Sequence, residues 1–263
     1  MLIAYQGEPG AFSEDAARSL VPDAETRGYL TFDETFAAAL SGATDAALMP
    51  VENSISGAVP RVYDLLYAEP SMRVVDEIVY RVVQNLIGIA GATLDGVREV
   101  RSHPVALEQC RRFLAAHPQI HLAVVADTAG AVREIVGLAD PGVAAIASRL
   151  AAERYGAGVL APAVQDVADN FTRFFLVRPD PPQAGAPTRA CIALELPHRP
   201  GSLRDALSTF ADLGLNLRTL ASRPSLEAPF TYRFYVEIED VDAAALRTAL
   251  GRIDGTARVL GFY

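Results

Sequence analysis

Three short polar islands in a largely apolar chain hold the residue types that carboxylate and proton chemistry need. One runs Asp169-Asn170-Phe171-Thr172-Arg173-Phe174 into the apolar stretch Phe175-Leu176-Val177. A Thr-Arg pair at the mouth of a strand sets a hydroxyl donor beside a planar cation. The two could grip a small carboxylate and hydrogen-bond a leaving oxygen; the same pair is also ordinary strand-edge polarity. A second island, Glu52-Asn53-Ser54-Ile55-Ser56-Gly57, follows an apolar run and precedes a helical pattern. Asn53, Ser54 and Ser56 are expected at that helix's entry, where free backbone N–H groups attract an anion, although Asn and Ser also cap helices for purely structural reasons. The third, Ser102-His103-Pro104, has the form of an N-cap with proline in the first turn, and Gln109, two turns on, looks toward the same side. His117 and His121 have the spacing of a zinc pair, but Pro118 breaks the helix that such a pair requires, and no metal site is expected. Gly7-Glu8-Pro9-Gly10 reads as a turn, and no Gly-x-Gly-x-x-Gly follows a strand.

The elements that must position these residues alternate. Strands are expected at 2–5, 46–49, 97–102, 123–125, 143–146 and 173–177, and helices at 13–20, 32–40, 60–67, 104–116, 128–136 and 148–155. That order is α/β, in which ligands sit at the carboxyl ends of strands against helix N-termini. Residues 178–188 hold four prolines and no periodic pattern, so the domain boundary is placed there. Beyond it come a strand at 189–196, a helical face of Leu203, Ala206, Leu207, Phe210 and Leu213, strands at 215–219 and 232–238, a stripe of Leu246, Ala249, Leu250 and Ile253, and a strand at 257–262. The βαββαβ order implies a ferredoxin-like sandwich.

At 263 residues the chain is long enough for more than one domain. Its 51% hydrophobic content, with no apolar run long enough to cross a bilayer, reads as soluble and not membrane-bound. The opening Met1-Leu2-Ile3-Ala4-Tyr5-Gln6-Gly7 has no signal-peptide character, so a cytoplasmic protein is expected. Cys110 and Cys191 are expected as buried thiols. Every Lys+Arg position is Arg, which excludes a P-loop lysine, a Schiff-base lysine and a lysine general base. A net charge of −9 argues against nucleic acid as a partner, but a local arginine can still dominate the field in a cleft and receive a small anion.

Together these motifs resemble one family, prephenate dehydratase with a C-terminal ACT regulatory domain. The correspondence begins with Tyr5-Gln6-Gly7-Glu8-Pro9-Gly10-Ala11-Phe12-Ser13-Glu14 and Glu52-Asn53-Ser54-x-x-Gly57. It continues through Ser102-His103-Pro104 with Gln109 and Cys110, then Ala144-Ala145-Ile146-Ala147-Ser148, Tyr155-Gly156 and Asn170-x-Thr172-Arg173-Phe174. In the last domain it rests on Pro200-Gly201-Ser202-Leu203 and Ser222-Arg223-Pro224.

The resemblance implies a catalytic domain at 1–178, with two α/β lobes around a cleft as in periplasmic solute-binding proteins. The chain would cross between lobes near 75–80 and return near 160–170, and an ACT domain would occupy 189–263. The implied reaction is loss of carbon dioxide and hydroxide from prephenate to give phenylpyruvate, in L-phenylalanine biosynthesis, with no cofactor. By resemblance Thr172 is the oriented donor to the leaving hydroxyl and Arg173 the carboxylate clamp. Asn53, Ser54, Ser102, Gln109 and Phe174 are the substrate-binding residues. Glu52 is either a relay acid, if burial raises its pKa, or a structural carboxylate on an arginine. L-Phenylalanine would act as allosteric effector at Gly201, Ser202, Leu203, Asn216, Ser222 and Arg223 between paired chains, which implies a homodimer or homotetramer. The family's usual Glu before Ser-Arg-Pro is Ala221 here, so sensitivity to phenylalanine is expected to be weakened or redirected. Arogenate remains open as the substrate, and a two-lobed solute-binding sensor without turnover is the alternative from another class.

Overall fold

The computed structural model describes residues 1–179, 187–225 and 229–263. In chain order the elements begin β1 (Leu2–Gln6), α1 (Phe12–Leu20), β2 (Glu25–Tyr29), α2 (Phe32–Leu40), β3 (Ala46–Asn53), β4 (Gly57–Ala58), α3 (Pro60–Ala68) and β5 (Met72–Arg81). Then come β6 (Asn85–Gly88), β7 (Glu99–Ser102), α4 (Pro104–Gln109), α5 (Arg111–Ala115), β8 (His121–Val124), α6 (Thr128–Leu138), β9 (Val143–Ala147), α7 (Arg149–Tyr155), β10 (Gly158–Ala161) and β11 (Phe171–Pro179). The last are β12 (Arg189–Glu195), α8 (Ser202–Asp212), β13 (Asn216–Pro224), β14 (Tyr232–Glu239), α9 (Ala243–Arg252) and β15 (Thr256–Phe262). These fall into two compact units, residues 1–59 with 78–175, and residues 60–77 with 176–263.

The first unit holds two sheets. In one, β1 pairs in parallel with β2 and β3, and β3 has β11 as its other neighbour. The second has the order β10-β6-β9-β7-β8. The chain crosses from the first sheet to the second between Arg81 and Asn85 and returns between Ala161 and Phe171, the first crossing a few residues later than expected. Strand β1 is apolar and its Ile3 and Ala4 are fully buried, under α2, which starts on a capping box. Thr31 Oγ1 accepts from Glu34 N at 3.1 Å, and Glu34 Oε2 accepts from Thr31 N at 3.3 Å. In the second sheet α6 packs on β9, beginning at Asp127, whose Oδ1 accepts from Gly130 N at 2.7 Å.

Two apolar clusters fill this unit. One gathers Tyr5, Ile87, Val132, Ile135 and Ala151, and the other Leu86, Val100, Leu107, Cys110 and Ile146. Between the sheets lies Glu14, 1% exposed. It accepts from Gly10 N at 2.7 Å, Thr26 Oγ1 at 3.0 Å and Arg18 Nε at 3.1 Å, and also from Arg154 of α7. Burial pushes its pKa up, but the Gly10 N–H, the Arg154 charge and the two remaining donors outweigh that and hold it below the ordinary carboxylate value.

In the second unit β12, α8, β13, β14, α9 and β15 form the expected βαββαβ fold, with antiparallel strand order β13-β14-β12-β15. One face of this sheet buries Ile192, Leu194, Val236 and Ile238 with Phe210 and Leu246 of the helices. The other face is not open, because α3 joins this unit. Tyr63 Oη donates to the buried Glu237 Oε1 at 2.7 Å, its ring lies 5.1 Å from that of Tyr235, and Arg223 Nη2 pairs with Asp64 Oδ2 at 2.7 Å. Arg233 stacks over Tyr67 at 3.2 Å and Arg258 Nη1 donates to Tyr67 O at 2.5 Å. Alongside, β5 pairs in parallel with β15 at Val74 and Gly261, where a side chain on Gly261 would collide with the Val74 backbone. The compact units therefore do not follow the linear division at 178–188, and residues 180–186 of that linker lie outside the described residues. Among the described residues no helix is long and apolar enough to cross a membrane.

Candidate active site

Strand β3 does not stop at Met49 but continues through Pro50, Val51 and Glu52 to Asn53, so the second polar island is a strand end with a turn into β4 rather than a helix entry. There Asn53 Oδ1 accepts from the backbone N–H of Ile55 at 3.0 Å and of Ser56 at 2.9 Å. Two fixed donors on the oxygen settle which way the amide points. Its Nδ2 must then face the neighbouring strand β11, where it meets Asn170 Oδ1 at 2.8 Å, Thr172 Oγ1 at 3.0 Å and Phe171 O at 3.1 Å. Ser54 stitches the same strands: its N–H donates to Phe171 O at 2.8 Å, and its Oγ accepts from Phe171 N at 3.0 Å.

Successive side chains leave a strand on opposite faces, and this splits the Thr-Arg pair. Thr172 goes with Asn53, whereas Arg173 goes with Phe175, its guanidinium 5.3 Å from that ring, and with Glu52, whose Oε2 accepts from Nη2 at 3.2 Å. Arg173 is 5% exposed and the Glu52 side chain 46%. Glu52 sits as a half-exposed carboxylate on a buried arginine. Phe174, on the Thr172 face, is 2% exposed and part of the core.

The third island supplies a different arrangement from the one its spacing suggested. The cap of α4 is His103, whose Nδ1 accepts from Val105 N at 3.3 Å, not Ser102. Ser102 is fully buried, and its hydroxyl donates to Ile146 O at 2.6 Å, a bond between strands β7 and β9. The expected single helix at 104–116 breaks at Cys110, whose burial pushes its thiol up to about 12. The break leaves Gln109 as the last residue of α4, and Gln109 does reach the cluster. Its Oε1 accepts from Asn170 Nδ2 at 3.0 Å and from Gln84 Nε2 at 3.1 Å. Sequence reasoning gave Asn170 no role, although it opens the Asn170-x-Thr172-Arg173-Phe174 motif, and passed over Gln84. Asn170 stood in plain view between Asp169 and Phe171, but only the fold shows that it is completely buried and bonded on both sides.

In the second unit Gly201 caps α8 with φ 89°, left-handed backbone that suits glycine. Ser202 and Leu203 line a cavity of about 120 Å³ with Leu196, His198, Tyr232 and Phe234, and the Ser202 hydroxyl is buried without a hydrogen-bond partner among the described residues. Ser222 pairs across the sheet with Phe234 and so lies on that side, whereas Arg223 pairs with Arg233 on the side that α3 covers. Asn216, at the far end of β13, donates to Glu239 Oε1 at 2.5 Å. Ala221 lies opposite Tyr235, on the α3 side.

A two-sheet α/β unit with a buried amide cluster behind one strand-end hydroxyl, followed in the chain by a βαββαβ unit, defines a two-domain α/β protein. A family model of prephenate dehydratase matches residues 3–182 and one of the ACT domain matches residues 192–249. The chain is 36% identical to arogenate dehydratase/prephenate dehydratase 2, chloroplastic, of Arabidopsis thaliana, covering 99% of this chain and 72% of that protein. It is 34% identical to a bifunctional N-acyl-homoserine lactone acylase/prephenate dehydratase of Komagataeibacter europaeus, over 100% and 95% of the two chains. The solved prephenate dehydratase of Arthrobacter aurescens, in complex with L-Phe, superposes with a TM-score of 0.89 at 27% identity, over 99% of this chain and 89% of that one. The chain belongs to the prephenate dehydratase family.

Proposed function

We propose that this chain converts prephenate to phenylpyruvate, carbon dioxide and water, with Thr172 as the hydrogen-bond donor to the departing hydroxyl. The observation that carries the assignment is the 3.0 Å bond from Asn53 Nδ2 to Thr172 Oγ1. A hydroxyl has one hydrogen and two lone pairs. With a lone pair engaged by Asn53, its hydrogen is directed away from the cluster, where it can meet an oxygen on which charge develops as the C–O bond breaks. The carboxylate's C–C bond supplies the electrons that aromatise the ring as carbon dioxide leaves, and the hydroxide takes a proton to become water. Threonine is far too weak an acid to lose that proton at neutral pH, so its part is electrostatic stabilisation, and the proton comes from solvent or another group.

Gln109 binds substrate through Nε2, because its oxygen is doubly occupied and its NH2 must turn from the cluster. Asn53, Ser54 and Ser102 hold strands and turns in place around the site. Arg173 contributes a buried positive charge, and a substrate carboxylate reaches its fork by exchange with Glu52. No step calls for a cofactor or metal. The relative crystallised with L-Phe supports phenylalanine as the effector here, seated at Gly201, Ser202 and Leu203, where the helix N-terminus and the unpartnered Ser202 hydroxyl can receive an amino acid's carboxylate. We place the enzyme in the cytoplasm, as a homodimer or homotetramer.

Incubation with prephenate and, separately, with arogenate tests the activity, phenylpyruvate being read by its ultraviolet absorbance and phenylalanine by chromatography. Turnover of prephenate is expected, and turnover of neither would reduce the chain to a solute-binding sensor. Sedimentation with and without L-phenylalanine tests the assembly.

A further inference from the structure

The amides around Thr172 form a chain whose direction is fixed from one end. Asn53 Oδ1 is tied to two backbone N–H groups of its own turn, so Asn53 presents only N–H to its neighbours. Asn170 must answer with Oδ1, at 2.8 Å, which sends its Nδ2 to Gln109 at 3.0 Å. Gln109 must answer with Oε1, and Gln84 meets that same oxygen with Nε2 at 3.1 Å. Reversing any one amide would set N–H against N–H or oxygen against oxygen in a place without solvent, since Asn170 is 0% and Gln84 3% exposed. The chain ends at Gln84 Oε1, which is buried with no partner among the described residues. Asn170 is the link without an alternative: its backbone oxygen is also held, by Val82 N at 2.8 Å, so the side chain cannot move away.

We infer that Asn170 is the positioning residue of the site. It transmits the polarity of the turn at residues 53–56 to Gln109, and by holding one hydrogen of Asn53 it leaves the other for Thr172. Thr172 thereby faces the substrate as a donor and Gln109 faces it through Nε2. Without Asn170 the Asn53 amide loses its shortest acceptor and is free to shift toward Phe171 O, and Gln109 Oε1 loses one of its two donors, so neither the Thr172 hydrogen nor Gln109 Nε2 is held toward the substrate. This rests on the assignment of Thr172 as donor, and the test separates the two.

The test is a double-mutant cycle on turnover of prephenate with Asn170→Ala and Thr172→Val, melting temperatures being measured alongside. Asn170→Ala is expected to lower kcat about ten- to a hundredfold, in the range found when a partner that orients an active group is removed, with a smaller change in KM. In the Thr172→Val background the same change is expected to cost less than about threefold, because the group it orients is gone. A merely structural role predicts equal losses in both backgrounds, and that result overturns the inference while leaving wild-type turnover, and with it the proposed function, intact. Asn170→Asp serves if the alanine variant does not fold. It keeps an oxygen toward Asn53, so kcat should stay within about tenfold of wild type while KM rises as Gln109 turns its NH2 inward to the new carboxylate. A kcat loss in Asn170→Asp with KM unchanged overturns it as well.

Discussion

Replacing Thr172 by valine keeps the shape of the side chain and removes both its hydrogen and its acceptor oxygen. The folded protein should hardly notice. Asn53 Nδ2 has two other acceptors, Asn170 Oδ1 at 2.8 Å and Phe171 O at 3.1 Å, so its two hydrogens stay satisfied. The cost is one half-buried hydrogen bond, about 0.5–1.5 kcal/mol, which lowers the melting temperature by only a few degrees, about 2–4 °C per kcal/mol in a chain of this size. The transition state should notice far more. A preorganised donor aimed at developing negative charge is worth about 2.7–4 kcal/mol, or roughly a hundred- to a thousandfold in kcat. Because that bond strengthens only as the C–O bond breaks, KM should change little. Following phenylpyruvate formation from prephenate at saturating and limiting concentrations, with thermal unfolding in parallel, gives both numbers. A variant that retains kcat within a few-fold of wild type would refute the donor role, and one that loses activity in proportion to lost folding would show the bond to be structural.

Glu52→Gln should lower stability by no more than about 1 kcal/mol, because the lost partner is half-exposed and screened by solvent, and leave kcat within about tenfold; a loss beyond a hundredfold would return the proton-relay role to Glu52. Arg173→Lys keeps the charge but not the fork, so KM should rise more than kcat falls, and wild-type kinetics would make Arg173 purely structural. Glu14 has a folded-state pKa below its ordinary 4.5, so its stabilisation is complete above that value and drains away as pH falls through the folded pKa. Melting temperature should accordingly drop more steeply on acidification in the wild type than in Glu14→Gln, and parallel curves would contradict the assignment. Gly201→Ala places a side chain at φ 89°, close to Arg204, and should blunt inhibition by L-phenylalanine while leaving uninhibited turnover unchanged; full inhibition would move the effector elsewhere.

The sequence foretold most where a pattern is local. Alternation in 189–196 and the stripe through Leu203, Ala206 and Phe210 give β12 and α8 almost to the residue, because each buries one regular face. Strand β3 was truncated at Met49, since Pro50 and the polar Glu52 and Asn53 break the apolar pattern while the backbone stays extended. Strands β2, β4, β5, β6 and β10 have no counterpart among the expected strands. Strand β2 reads Glu-Thr-Arg-Gly-Tyr, and its place is set by pairing with β1 rather than by its own composition. At the site, spacing named Asn53, Gln109 and Thr172, which the fold brings into one hydrogen-bonded cluster, but it could not see the pleat that turns Arg173 the other way. Nor could any local pattern place α3 with the C-terminal sheet, because the contact joins Tyr63 to Glu237.

That last contact bears on how the chain comes into being. Val62 and Leu66 of α3 are fully buried in the finished protein, in a unit otherwise made of the C-terminal 88 positions from Leu176 to Tyr263. At roughly 5–20 residues per second, about 10–40 s pass between synthesis of Glu77 and of Tyr263. Throughout that interval the helix has no sheet to dock on, and its apolar face is available to chaperones or to another nascent chain. The unit is therefore completed only once residue 263 has been made. It also cannot be transplanted as a cassette cut at the proline-rich linker: a graft or truncation there would orphan α3, and an exchange between relatives must carry residues 60–77 along with the C-terminal segment.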